Sequence, residues 1–173
     1  PTLETKFVAA NTLIQVDRPA QMAFITPEVK KKQDELNDLR QKKHFLAPTW
    51  EKKKQIREQD KKLSQELAIL LRTDGWKNEV AEKLAFWDPY DQSVSAGYFD
   101  PQWMFGIEDG FDIVIGNPPY MRVQMIQKTQ PEFMSYYRDH YQSAVGSFDL
   151  YAVFIERGYS LLSKRATGIY RPP

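Results

Sequence analysis

The residues of this chain best suited to chemistry lie in one decapeptide, Phe111 to Tyr120, FDIVIGNPPY. A short apolar run, Phe111-Asp112-Ile113-Val114-Ile115, leads through Gly116 into Asn117-Pro118-Pro119-Tyr120. Strand ends in α/β proteins are where ligands are met. The tetrapeptide offers an amide side chain, a rigid carbonyl and an aromatic face. Together these grip a planar amino group, which points to chemistry on a nucleobase.

Methyl transfer to an exocyclic amino group has a specific difficulty. The nitrogen lone pair is delocalised into the ring, so the amine is a poor nucleophile. Two acceptors aimed at its hydrogens favour a tetrahedral nitrogen and free the lone pair. The Asn117 side-chain oxygen and the Pro118 carbonyl can be those acceptors. The prolines fix φ near about −65° and add no competing N–H. Tyr120 can stack on the base. A base inside a duplex must be flipped out to reach such a turn. Transfer is then direct, and gains mainly from positioning. The plainer alternative is a diproline turn that merely ends a strand.

The elements that must position this turn can be read from patterning. Residues 6–14, KFVAANTLI, read as a buried strand with a turn at Asn11-Thr12. Thr26 and Pro27 carry a helix-start signature. Val29, Leu36, Leu39 and Leu46 follow as a heptad-like seam on a charged helix. Ala47-Pro48-Thr49 interrupts it, because proline cannot continue the backbone ladder. A second helix places Ile56, Leu63, Leu67 and Leu70 on one face, which predicts an antiparallel hairpin. Thr73 or Asp74 is set to cap a third helix running through Trp76, Val80, Leu84 and Phe86. A loop rich in aromatic and turn residues leads to the strand at 111–115. A helix begins within 121–127. A further amphipathic helix spans Phe148 to Ser163, with Leu150, Phe154, Ile155, Tyr159 and Leu162 on its apolar side. Ile169-Tyr170 begins another strand.

Composition narrows the chemistry. Aromatics make up 13% and hydrophobics 42% of 173 residues, which suits a globular core. With no cysteine, a thiolate nucleophile and a cysteine-held zinc are excluded. A cytosine-C5 methylation mechanism, which needs that thiolate, cannot run on these residues. His44 and His140 are the sole histidines, too few for a histidine-rich metal site. No apolar run reaches membrane-spanning length. The net charge of +1 hides an asymmetry, since residues 28–72 carry 13 lysines and arginines against 8 acids. A basic segment is thus set into a mildly acidic remainder. It reads either as an arm for phosphates or, more plainly, as a solvated spacer, because its acids are interspersed with its bases.

FDIVIGNPPY resembles the catalytic motif of amino-group DNA methyltransferases that use S-adenosylmethionine. The approach to it, Tyr98-Phe99-Asp100, Trp103-Met104-Phe105-Gly106 and Asp109-Gly110, is similar to that of large bacterial type II restriction–modification enzymes methylating adenine at N6. Asp149-Leu150-Tyr151, Phe154, Glu156 and Leu161-Leu162 resemble that family's following motif, and the likeness covers roughly residues 6–14 and 98–170. It implies an α/β fold: a partial Rossmann-like methyltransferase sheet from residues 1–27 and 73–173, with 28–72 as an inserted basic helical hairpin. It assigns Asn117, Pro118, Pro119 and Tyr120 to catalysis. It implies Asn11 as the contact to the cofactor's adenine. The family has an acidic residue there, and an amide can still hydrogen-bond an adenine edge. Arg122 and Gln124 directly follow the motif and are placed to touch DNA near the flipped base, with surface or helix-start roles as the alternative. The implied partners are double-stranded DNA and the remainder of a parent polypeptide, in the bacterial cytoplasm and away from membranes. Two other readings stand beside it: an NPPY enzyme acting on a protein glutamine amide or on RNA, and a non-catalytic module whose hairpin binds a partner.

The family's glycine-rich motif, which seats the methionine end of the cofactor, has no counterpart in these residues. The chain therefore reads as a piece of such an enzyme, inactive by itself. Titration calorimetry of the 173-residue chain should show no S-adenosylmethionine binding in the micromolar range. Micromolar binding would mean a cofactor site assembled in another way.

Overall fold

The structure is a computed structural model that describes residues 3–18, 26–165 and 169–170. The chain divides into two compact units, Pro1–Ile107 and Glu108–Pro173.

The first unit is organised by a helical hairpin. Helix α1, Pro27–Asp38, starts as its sequence predicts: Pro27 occupies the first turn and the Thr26 hydroxyl accepts from the Val29 amide at 3.4 Å. It runs directly into a π-helical stretch, Leu39–His44. Helix α2, Trp50–Thr73, restarts after Pro48 with Thr49 as its cap. The hydroxyl of Thr26 donates to the Asp74 carboxylate, tying the start of α1 to the end of α2, so the two helices run antiparallel. Val29, Leu36 and Leu39 are buried, but Leu46 is 70% exposed. The wider π turn shifts the phase of the seam. It brings Arg40 and His44 inward in place of the expected leucine.

Arg40 is wholly buried and gives a two-pronged hydrogen bond to Asp60, at 2.7 and 2.8 Å. Ser64 and the Tyr90 hydroxyl complete the shell around that carboxylate. Trp87 lies under the guanidinium, 5.2 Å from its centre. Burial and the Asp60 charge push the Tyr90 phenol far above its usual range.

Asp74 closes α2 rather than opening the next helix. Gly75, at φ 85°, reverses the chain. Helix α3, Asn78–Ala85, then starts at Lys77 with no side-chain cap. Helix α4, Pro101–Phe105, is capped by Asp100, whose carboxylate accepts from the Trp103 amide at 2.9 Å. Val29, Leu36, Leu67 and Leu71 share one core with Trp76, Leu84, Tyr98, Trp103 and Met104.

In the second unit, β1 (Val114–Ile115) pairs in parallel with β2 (Ile169–Tyr170). Helices α5 (Val123–Thr129), α6 (Pro131–His140) and α7 (Leu150–Ser160) lie between them in sequence. Val123, Ile126, Met134, Tyr137, Tyr141 and Val153 are buried. The inward face of α7 is Leu150, Val153, Arg157 and Gly158, whereas Tyr159 and Ile155 are exposed, at 74% and 39%.

The expected Rossmann-like sheet is not what forms. Helix accounts for 56% of the structure and strand for 5%. Residues 6–14 make one bridge, Ala10 to Ala96, and then turn at Thr12-Leu13. The run 111–115 finds ladder partners, among the described residues, only at Leu162 and at 169–170. Ile113 and Ile115 consequently stay 71% and 69% exposed. A strand's backbone groups need neighbours on both sides to build a sheet, and apolar patterning cannot supply them.

His44 gives the first unit a pH dependence. Both ring nitrogens are buried without a hydrogen bond, and the ring packs 4.6 Å from that of Tyr90. Burial lowers its pKa below 6.5, opposed in part by Glu4 and reinforced by Arg57 and Lys53. A histidine held neutral in the fold binds fewer protons than its unfolded counterpart. Its stability contribution is therefore complete above the unfolded pKa, about 6.5, and lost as pH falls below it. The Tm should drop between pH 7 and 5.5, at roughly constant ionic strength, and His44→Phe should flatten that slope.

Candidate active site

The approach to the decapeptide is set by a close contact between backbones. The Phe111 amide donates to the Leu161 carbonyl at 2.8 Å, and the Ser163 amide donates to the Phe111 carbonyl at 2.9 Å. Gly110, at φ +88°, makes this possible. A Cβ there would sit 2.8 Å from the backbone of Leu162 and Ser163. Gly116, by contrast, has open space where a Cβ would be. Asn117, Pro119 and Tyr120 are exposed and Pro118 is half-buried.

The exit from the motif is held as firmly as its entry. Arg122 and Asp149 form an antiparallel bridge. The Leu150 amide donates to Met121 at 2.8 Å, and the Val123 amide donates to Phe148 at 3.0 Å. The turn is therefore pinned to the first residues of α7. Asp149 precedes that helix without capping it through its side chain. The ring of Tyr151 lies 6.3 Å from that of Tyr120, tilted by 41°. Glu156, one turn further along, accepts from the amides of Gln142 and Ser143 at 2.9 and 2.8 Å and fixes the loop that leads into Phe148.

The expected site residues are placed as follows. Asn117, Pro118, Pro119 and Tyr120 stand together as one turn after β1. Arg122 is exposed at the N-cap of α5, and Gln124 is exposed two residues on, its amide 3.4 Å from the Ser147 hydroxyl. Asn11 lies in the first unit, where its side-chain oxygen accepts from the Leu13 amide at 3.2 Å. In the sequence Tyr151 and Gly110 stand out only as parts of motifs. The local signal for Gly110 was the Asp-Gly pair before a strand, but the clash that demands glycine comes from residues about fifty positions away.

The chain belongs to the Eco57I restriction-modification methylase family, which matches residues 9–170. Among curated proteins it is 39% identical over 54 residues to the type II restriction enzyme and methyltransferase RM.Eco57I of Escherichia coli. That stretch is 31% of this chain and 5% of the relative. It is 35% identical over 97 residues to the type II methyltransferase M.PaeR7I of Pseudomonas aeruginosa, covering 56% of the chain and 15% of that protein. It is 42% identical over 57 residues to the type II methyltransferase M.BstVI of Geobacillus stearothermophilus, covering 33% and 10%. The aligned stretches thus span a small part of each relative. No solved structure matches the chain significantly.

The two glycines give a paired test. Gly110→Ala should lower stability by about 1–3 kcal/mol, from a strained φ and a backbone clash. Gly116→Ala should stay within about 0.5 kcal/mol of the parent. Urea midpoints of the two variants check both, and equal midpoints would contradict the close approach at Gly110.

Proposed function

We propose that this chain carries the catalytic turn of an S-adenosylmethionine-dependent DNA methyltransferase of a restriction–modification system. The target in this reading is the N6 amino group of an adenine flipped out of the duplex. The observation that carries it is the exposed Asn117–Tyr120 turn, anchored at both ends by backbone hydrogen bonds and backed by Tyr151. An exposed amide and a diproline turn held this firmly suit recognition of a planar amine better than the mere end of a strand.

In the proposed mechanism the Asn117 side-chain oxygen and the Pro118 carbonyl accept the two hydrogens of the amine. That draws the nitrogen toward tetrahedral geometry and frees its lone pair. Tyr120 stacks on the base and offsets the cost of unstacking it. Gly116 has open space where a side chain would stand, and the methyl donor is proposed to approach there. S-adenosylmethionine, when bound, supplies the electrophilic methyl group. Asn11, whose oxygen is engaged by Leu13, keeps its NH₂ as a donor for an adenine edge. Arg122 and Gln124, exposed just after the turn, are proposed to meet the DNA backbone. The reading takes the chain to work as part of a longer polypeptide that binds double-stranded DNA in the bacterial cytoplasm. No helix among the described residues is long and apolar enough to cross a membrane.

Asn117→Ala in the full-length polypeptide should abolish adenine methylation of plasmid DNA, read by methyl-sensitive cleavage. DNA binding should change less than about threefold, since the lost group meets only the flipped base. Undiminished methylation by the variant would overturn the proposal in favour of a non-catalytic role.

A further inference from the structure

We propose that the tip of the α1–α2 hairpin, residues 41–57, is a sequence-independent dock for the phosphate backbone of duplex DNA. The inference rests on the reading of this chain as part of a DNA methyltransferase, and adds to it a DNA contact outside the Asn117–Tyr120 turn. The argument begins with where the charge lies. Residues 41–57 carry six cations, Lys42, Lys43, Lys52, Lys53, Lys54 and Arg57, against Glu51 alone. The two stems of the hairpin, 28–40 and 58–72, carry seven lysines and arginines and seven acids. The basic excess of the hairpin is therefore all at its tip. The interspersed acids that mark a solvated spacer belong to the stems.

The fold keeps these charges together. Leu39, Ala47 and Ile56 form a small core that closes the hairpin, so the π-helical stretch and the first turns of α2 are held side by side. Of the six cations all but Lys53 are exposed. Asp38 reaches Lys42 and Lys43 at 3.1 and 3.4 Å, and Glu4 reaches Arg57 at 2.7 Å. With both acids counted beside Glu51, cations still outnumber acids two to one. Lys6 adds a further cation beside the Gln41 side chain, at 2.6 Å. The stems behave differently. Lys32 lies between Glu35 and Glu66, and Arg40 is matched by Asp60.

Unmatched lysines on a rigid end suit a polyanion of regular spacing. The first two turns of α2 span about 12 Å. Over that length a duplex carries roughly seven phosphate charges, one per about 1.7 Å of axis. The restriction–modification family of the chain favours DNA over an anionic membrane, which the exposed Leu46 and Trp50 would otherwise also suit. Contacts to phosphates carry no sequence information, and they give affinity that falls with salt.

The test compares two triple variants of the full-length polypeptide. The tip variant is Lys43→Gln/Lys52→Gln/Lys54→Gln, and the stem variant is Lys31→Gln/Lys61→Gln/Lys62→Gln. All six lysines are exposed, so thermal melting should show both variants folded. Binding to a duplex of unrelated sequence is read by filter retention between about 50 and 200 mM salt. The tip variant should bind at least about tenfold more weakly, with a log–log salt slope shallower by roughly two to three. The stem variant should stay within about threefold of the parent, and Lys43→Arg/Lys52→Arg/Lys54→Arg should keep the parent slope. An unchanged slope in the tip variant overturns the dock, as do equal losses from tip and stem. Loss of binding to phosphatidylserine vesicles with DNA binding intact overturns it in favour of a membrane contact. An active Asn117→Ala overturns the methyl-transfer reading separately, because the dock is read by binding and not by methylation.

Discussion

The second unit depends on a short exchange of backbone hydrogen bonds, Leu150 to Met121 and Val123 to Phe148. Its three members, Met121, Arg122 and Val123, leave the Asn117–Tyr120 turn with almost no slack. Its other side, Phe148, Asp149 and Leu150, is the start of α7. Any displacement of that helix must move the turn. The loop before Phe148 is in turn held by the Glu156 carboxylate, which belongs to α7 itself. The activity proposed for the turn would gain from this rigidity, because direct transfer depends on placing two reactants in line.

The first unit solves a different problem. A hairpin rich in lysine and glutamate can bury few charges, yet the π-helical stretch turns Arg40 into the core. Removing Asp60 alone would leave that cation buried and unpaired, a loss of about 3–5 kcal/mol in comparable settings. Ser64 and Trp87 also meet the guanidinium, while the Tyr90 hydroxyl donates to the Asp60 carboxylate. Through Tyr90 and Trp87 the pair fixes the path of the chain beyond α3. The pair joins the π-helical stretch to α2.

Several features could be read without any structure. Thr26 caps the helix it precedes, because a hydroxyl three residues before a backbone N–H is a local arrangement. Pro48 breaks the hairpin for a similarly local reason. The NPPY turn and its family membership follow from residue order alone. Where the reading failed, the deciding neighbour was distant in sequence. Leu46 follows the seam spacing but is exposed, since the π turn changes the phase before it. Asp74 looks like an N-cap, but Thr26 claims it as a partner. Ile113 and Ile115 look like buried strand residues, but the described chain offers them one short ladder rather than a sheet.

By itself the sequence determined where α1 begins and that Pro48 interrupts the hairpin, and it singled out Asn117–Tyr120 as the tetrapeptide proposed to bind an amine. These depend on groups within a few positions of one another, so the order of residues contains them. Only the tertiary structure decided that Arg40 and His44 lie inside, that Gly110 must lack a side chain, and that Tyr151 stands 6.3 Å from Tyr120. Each of these is set by backbones brought together from segments far apart in the chain. Packing and hydrogen-bond register fix that encounter, and no local pattern encodes it.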